Sequence, residues 1–231
     1  MYSLIIKFLV DKISIFHIKR IFRFFHDKEL KIIFDIGSHK GDFIDCFKKK
    51  FKKAKFYSFE PLKENFTYQK KKYKRNKNIK IFNYGLSDKK TKLNLNINYL
   101  SNASTFSKFD STAFYFRIRK LILGKKKIIV NNEICNIDTL DNFIFYKKIN
   151  YIDLLKLDVE GFEFKVLKGG KNILKNIRYI IVEITHSNIF KNYKKNQIHK
   201  FLIKNGFEKE KRFMFPIMNF EDRIYKNKLT D

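Results

Sequence analysis

Asp35, Glu60, Asp158, Glu160 and Glu183 each stand where a run of apolar residues gives way to polar sequence. Asp35 lies in IIFDIGSHKGDF (Ile32 to Phe43), Glu60 in FYSFEP (Phe56 to Pro61) and Asp158 and Glu160 in KLDVEG. Glu183 lies in IVEITH, just ahead of His186. A carboxylate at such a place can accept hydrogen bonds from a ribose diol, pair with a cationic ligand, or take a proton as a general base. In a chain with 23 acidic and 51 basic residues, acids gathered at strand ends are informative.

The ligand chemistry follows from what surrounds these acids. Gly37 and Gly41 let a ligand approach the backbone. They are four apart, with Ser38, His39 and Lys40 between them, whereas a pyrophosphate site prefers G-x-G-x-x-G. Asp35 would repel a phosphate. S-adenosylmethionine (AdoMet) carries a sulfonium, an ammonium and a ribose diol, and no phosphate. The acids therefore suit AdoMet, with Glu60 on the ribose and Asp35 and Asp158 toward the amino-acid end. Glu160 is the first candidate for the base, then His186, with Asp158 and Glu183 beside them. Glu160 could also serve only the dipole of the helix that follows it, and Glu183 could be a structural carboxylate. The five histidines show no ligand spacing, so no metal centre is expected, with a carboxylate-only Mg²⁺ site as the alternative.

The elements that must position these groups alternate in period. Strands are expected at Lys31–Ile36, Lys55–Phe59, Ile79–Tyr84, Tyr151–Leu157 and Arg178–Thr185. Helices are expected at Asp42–Phe51, Pro61–Tyr73, Phe162–Lys168 and Asn196–Asn205. That order implies an α/β fold with a mostly parallel sheet and helices on both faces. Ligands bind such a sheet beyond the carboxyl ends of its strands. Between the two halves, Leu93–Ile97 reads as a hairpin strand, Ser101–Ser107 as loop, Ala113–Leu123 as a helix and Lys127–Ile134 as a strand. Phe207–Tyr225 should add one or two last strands.

Residues 1–30 read as a helical arm and 31–231 as one domain, with 98–126 inserted on the acceptor side. Tyr99, Phe106, Tyr115 and Phe116 could stack there on a sugar ring. The polar residues of the arm fall in two arcs, which fits two short helices or a bent one. An arm packed on the domain is favoured over a helix resting on a membrane surface.

The net charge of +28 suggests nucleic acid or anionic lipid. Richness in Lys, Asn, Ile, Phe and Tyr with no Trp also matches A/T-rich codons, which explains the charge without a partner. Two cysteines, Cys46 and Cys135, form no motif, so a reducing cytosol is the default. No stretch approaches the ~20 apolar residues of a membrane span.

DIGSHKG, FYSFEP, NYGLSD (Asn83 to Asp88), IDLLKLDVEGFEFKVLKGG (Ile152 to Gly170) and IVEI (Ile181 to Ile184) resemble the successive motifs of FkbM-type methyltransferases. The resemblance spans roughly Lys31 to Ser187. It implies the Rossmann-like class I methyltransferase fold, a seven-stranded sheet with its last strand antiparallel. It also implies AdoMet-dependent O-methylation, often of sugars. Carried over residue by residue, the cofactor would meet Asp35, Gly37, Ser38, His39, Gly41, Glu60, Leu86, Ser87 and Asp158. Where the family usually reads D-x-G-A-N-x-G, Ser38 and His39 replace Ala-Asn. Alternatives are a ribose 2′-O RNA methyltransferase, a non-catalytic nucleic-acid-binding protein of this fold, and a scaffold working through its arm. An amino-methylating enzyme would carry a D/N-P-P-Y/F loop; with only Pro61 and Pro216 the chain cannot.

Overall fold

The computed structural model describes residues 2–98, 103–108, 110, 129–186, 189–191, 193–216 and 220–230. Most of the insertion at 98–126, including the expected helix Ala113–Leu123 and the rings of Tyr99, Tyr115 and Phe116, lies outside them.

Five apolar runs form the parallel part of a seven-stranded sheet: β1 (Ile32–Ile36), β2 (Lys55–Phe59), β3 (Ile79–Phe82), β7 (Ile152–Leu157) and β8 (Ile177–Thr185). The tail supplies β9 (Phe207–Met214) and β10 (Phe220–Asn227), and the order is β3-β2-β1-β7-β8-β10-β9. Only β10 runs antiparallel to its neighbours. Three strands form a second sheet, β4 (Gly85–Leu86), β6 (Ile129–Asp138) and β5 (Thr91–Asn98), in that order. The third expected strand thus breaks after Phe82, and Gly85 and Leu86 pair with β6 instead.

The strands read as continuous apolar runs because both sheet faces are covered. Successive residues go to opposite faces. Phe34, Leu155 and Ile180 join one core cluster, and their neighbours Ile33, Leu154 and Ile181 join the other. The flanking helices are α2 (Asp42–Phe47), α3 (Lys63–Lys72), α4 (Leu140–Lys147), α5 (Glu163–Gly169) and α6 (Lys195–Lys204). Helix α4 was not anticipated, although its signal was present: Thr139 Oγ1 caps it by accepting from Asn142 N at 3.1 Å.

The arm corrects an expectation. It is one helix, α1 (Tyr2–Phe24), not two short ones. Its inner half packs on the domain through Ile21 and Phe25, and His17 Nε2 lies 2.7 Å from Asp222 Oδ2 of β10. Among the described residues, no helix is long and apolar enough to cross a membrane.

Candidate active site

The carboxyl ends of β1, β2 and β7 lie side by side. Ile36 is in register with both Phe59 and Leu157. Each strand then turns at the rim, and the turns wall a cleft. Gly37, His39, Glu60, Leu86, Asp158 and Glu160, all expected at the site, line it. Phe106 and Phe162 add apolar walls, their ring centroids 5.6 Å apart. The cleft encloses about 570 Å³, open mouth included.

Gly37 takes φ 79°, and a Cβ there would run into the carbonyl oxygen of Asp158. Glycine is required because the first and fourth parallel strand ends meet backbone to backbone. Ser38 points inward. Its hydroxyl accepts from Ser58 Oγ at 2.7 Å and from Gln69 Nε2 at 2.8 Å, which ties the turn to α3. Gly41 likewise sits outside the cleft lining, its carbonyl accepting from Tyr73 OH at 2.8 Å.

Glu60 is 6% exposed. Its Oε2 accepts from His39 N at 2.7 Å and its Oε1 from Leu62 N at 2.9 Å. The glutamate therefore joins the turn after β1 to the start of α3. That helix begins at Lys63 instead of Pro61, since Leu62 is its cap. Burial pushes the Glu60 carboxyl up to about 8, against the pull of the two amides. Each carboxylate oxygen keeps a second lone pair. A ribose diol could donate to these and offset the desolvation.

Asp35 does not line the cleft. It is 1% exposed, and Lys156 Nζ lies 3.3 Å from its Oδ1. Lys156 also donates to Asp158 Oδ2 at 3.0 Å and to the Gly37 carbonyl at 3.4 Å. Burial raises the Asp35 carboxyl and Lys156 opposes it; the two aspartates raise Lys156 against its own desolvation. Sequence reading passed over Lys156, though a lysine in the apolar run IDLLKL was its signal.

The loop after β7 is held from below and above. Glu160 takes φ 51° and Gly161 φ 91°. Glu163 Oε1 accepts from Val159 N at 3.2 Å and Gly161 N at 3.0 Å. Thr105 Oγ1 donates to the Glu160 carbonyl. Glu163 is buried, and that burial pushes its carboxyl up to about 7. One oxygen from each of Asp158, Glu160 and Glu183 lies within 4.8 Å of the others. Burial, and then the charges of Asp158 and Glu160, push the Glu183 carboxyl upward. These three are hard oxygen donors of the kind that ligate Mg²⁺ or Ca²⁺.

Two further expected residues lie away from the cleft lining. Ser87, buried, has its hydroxyl 3.1 Å from Asp88 Oδ1 and does not reach the cleft lining. His186 lies with Glu221, Nε2 to Oε1 3.4 Å, and near Lys195, and it too is absent from that lining.

Solved structures are similar to the chain in fold. The METTL16 methyltransferase domain matches with a TM-score of 0.50 at 12% identity, covering 94% of this chain and 67% of that one. Fibrillarin from Aeropyrum pernix, solved with natively bound AdoMet, gives 0.49 at 11% identity, covering 85% and 66%. A TehB-like AdoMet-dependent methyltransferase from Corynebacterium glutamicum gives 0.47 at 10%, covering 92% and 88%. No curated protein matches the sequence. The strand order, with one antiparallel strand near the edge, is that of the Rossmann-like class I methyltransferase fold. Residues 35–209 match the methyltransferase FkbM domain, so the chain belongs to the FkbM methyltransferase family, with AdoMet as its cofactor.

Proposed function

We propose that the enzyme transfers the methyl group to a hydroxyl of a sugar, a glycan precursor or a similar metabolite. The observation that carries this reading is the loop Asp158-Val159-Glu160-Gly161. It places two carboxylates in the cleft that Glu60 also lines, with no proline-rich amine-recognition loop after β7.

AdoMet, when bound, supplies a methyl group already activated on sulfonium. What remains for the chain is alignment, exclusion of water and handling of one proton. Glu60 holds the ribose hydroxyls. Asp158, fixed by Lys156, faces the cationic amino-acid end, and Leu86 with Phe106 and Phe162 offers apolar walls for the adenine. Glu160 accepts the acceptor's hydroxyl proton as the oxygen attacks. His186 is set back from the cleft and is the weaker candidate for that task.

The test is a mass-spectrometric search for methylated products from glycan precursors of the native host, with Glu160→Gln alongside. The variant should lose about 10²–10⁴-fold in kcat with AdoMet affinity kept within about threefold. An unchanged kcat removes Glu160 as the base. Methylated ribose in an RNA substrate, with no glycan product, replaces the sugar reading by the 2′-O one.

A further inference from the structure

Helix α1 carries a face that the methyltransferase reading does not use. With 100° between successive residues, Phe8, Lys12, Ile15, Phe16, Lys19 and Arg23 fall in one arc of about 100°. All six are exposed: Phe8 by 60%, Phe16 by 53% and Ile15 by 39%. Lys12 Nζ stands 5.3 Å from the centroid of the Phe8 ring. The opposite arc is buried, with His17, Ile21 and Phe25 on the domain. Two aromatic rings and an isoleucine thus stay in water on one side of a helix whose other side, at His17, Ile21 and Phe25, is packed on the domain.

We infer that this outward face of α1 docks on an anionic lipid surface, lying in the interface with Phe8, Ile15 and Phe16 inserted and Lys12, Lys19 and Arg23 at the headgroups. Both halves of the pattern are needed for such a helix: an apolar row to enter the acyl boundary and cations spaced to meet lipid phosphates. The charge of the whole chain, +28, draws it to the same surface at long range. A spanning role is excluded for α1, which is too polar to cross. RNA would be met by the cations but leaves the exposed isoleucine between them unexplained.

The position of α1 gives the surface a relation to the cleft. His17 meets Asp222, which is in register with Glu183 near the carboxyl end of β8, and Arg20 Nη1 donates to the Met214 carbonyl at 3.0 Å. Phe25 packs on Tyr179, near the start of that strand. The helix therefore runs down the sheet from the rim where the cleft opens, with its N-terminal half on the side of that rim. An acceptor carried in the lipid surface reaches the enzyme beside its cleft.

The chain has no tryptophan, so Phe8→Trp installs a single reporter. With the full chain and vesicles of phosphatidylcholine with about 30% phosphatidylglycerol, its emission should shift to the blue and be quenched by brominated lipid. Binding to pure phosphatidylcholine should be at least about tenfold weaker. Phe8→Ser/Ile15→Ser/Phe16→Ser and Lys12→Glu/Lys19→Glu/Arg23→Glu should each lose at least about tenfold in vesicle affinity. A charge-matched control on another exposed surface, Lys74→Glu/Arg75→Glu/Lys77→Glu, should lose less than about threefold. AdoMet binding and melting temperature should hold in every variant, because all the altered side chains are exposed. The inference is overturned by an unshifted reporter, by an apolar variant that binds vesicles like the parent, or by a control that loses as much as the α1 reversal. A single-stranded RNA that binds more tightly than vesicles through the same six residues would also overturn it.

Discussion

Lys156 Nζ lies 3.3 Å from Asp35 Oδ1, and neither oxygen of Asp35 has a hydrogen bond of acceptable geometry. The pair is a buried ion contact between adjacent parallel strands, beneath the turn at Gly37. Lys156 is also the group that fixes Asp158. Removing the lysine leaves Asp35 buried without its counter-charge. Lys156→Met should therefore cost about 3–5 kcal/mol in denaturant unfolding. Asp35→Asn combined with it should recover at least about 1 kcal/mol relative to the sum of the single changes. Strict additivity would show that the two do not interact.

Glu60 gives the most direct test of the cofactor site. Glu60→Ala should weaken AdoMet binding by an order of magnitude or more in calorimetry, because it removes the ribose acceptor and frees the amides of His39 and Leu62. In the parent protein, AdoMet at 100 times its Kd should stabilise the fold by about 2.7 kcal/mol, seen as a rise in Tm. The same cofactor concentration should raise the Tm of the variant by about half as much or less. Equal shifts would place the ribose elsewhere.

Gly37→Ala should abolish cofactor binding and lower stability together. The alanine would sit at a left-handed φ and drive its methyl into the Asp158 backbone, which has no room to yield. A loss of about 2 kcal/mol or more in unfolding free energy is expected. Crystals of a well-folded variant that binds AdoMet would contradict the packing argument.

The burial of Glu163 predicts a pH signature. Its folded value, about 7, lies above the ordinary 4.5, so the folded state holds the proton more tightly. The associated stability is fully present below the unfolded value and is lost as pH rises through 7. Glu163→Gln removes that dependence while its amide oxygen can still accept from Val159 N and Gly161 N. Between pH 5 and 8.5 the variant should gain on the parent by up to about 3 kcal/mol. Glu60 titrates in both proteins and cancels in the difference. Parallel stability curves would show that Glu163 is not held as a neutral acid.

The sequence by itself determined the order of strands and helices and the place of the acids at strand ends. Local periodicity and the residue at each break encode both. It also named Gly37, Glu60, Asp158 and Glu160 as candidates for the cleft, from their places at the ends of parallel strands. Only the tertiary structure decided which acids reach the ligand and which the protein keeps. Asp35 and Asp158 look alike in sequence, yet a lysine on the neighbouring strand engages both and leaves only Asp158 on the cleft wall. His186 pairs with Glu221, and His17 of α1 meets Asp222. Those outcomes depend on contacts between residues far apart in the chain. Periodicity records which face a side chain takes, and only the folded chain supplies the charge that waits on the other side.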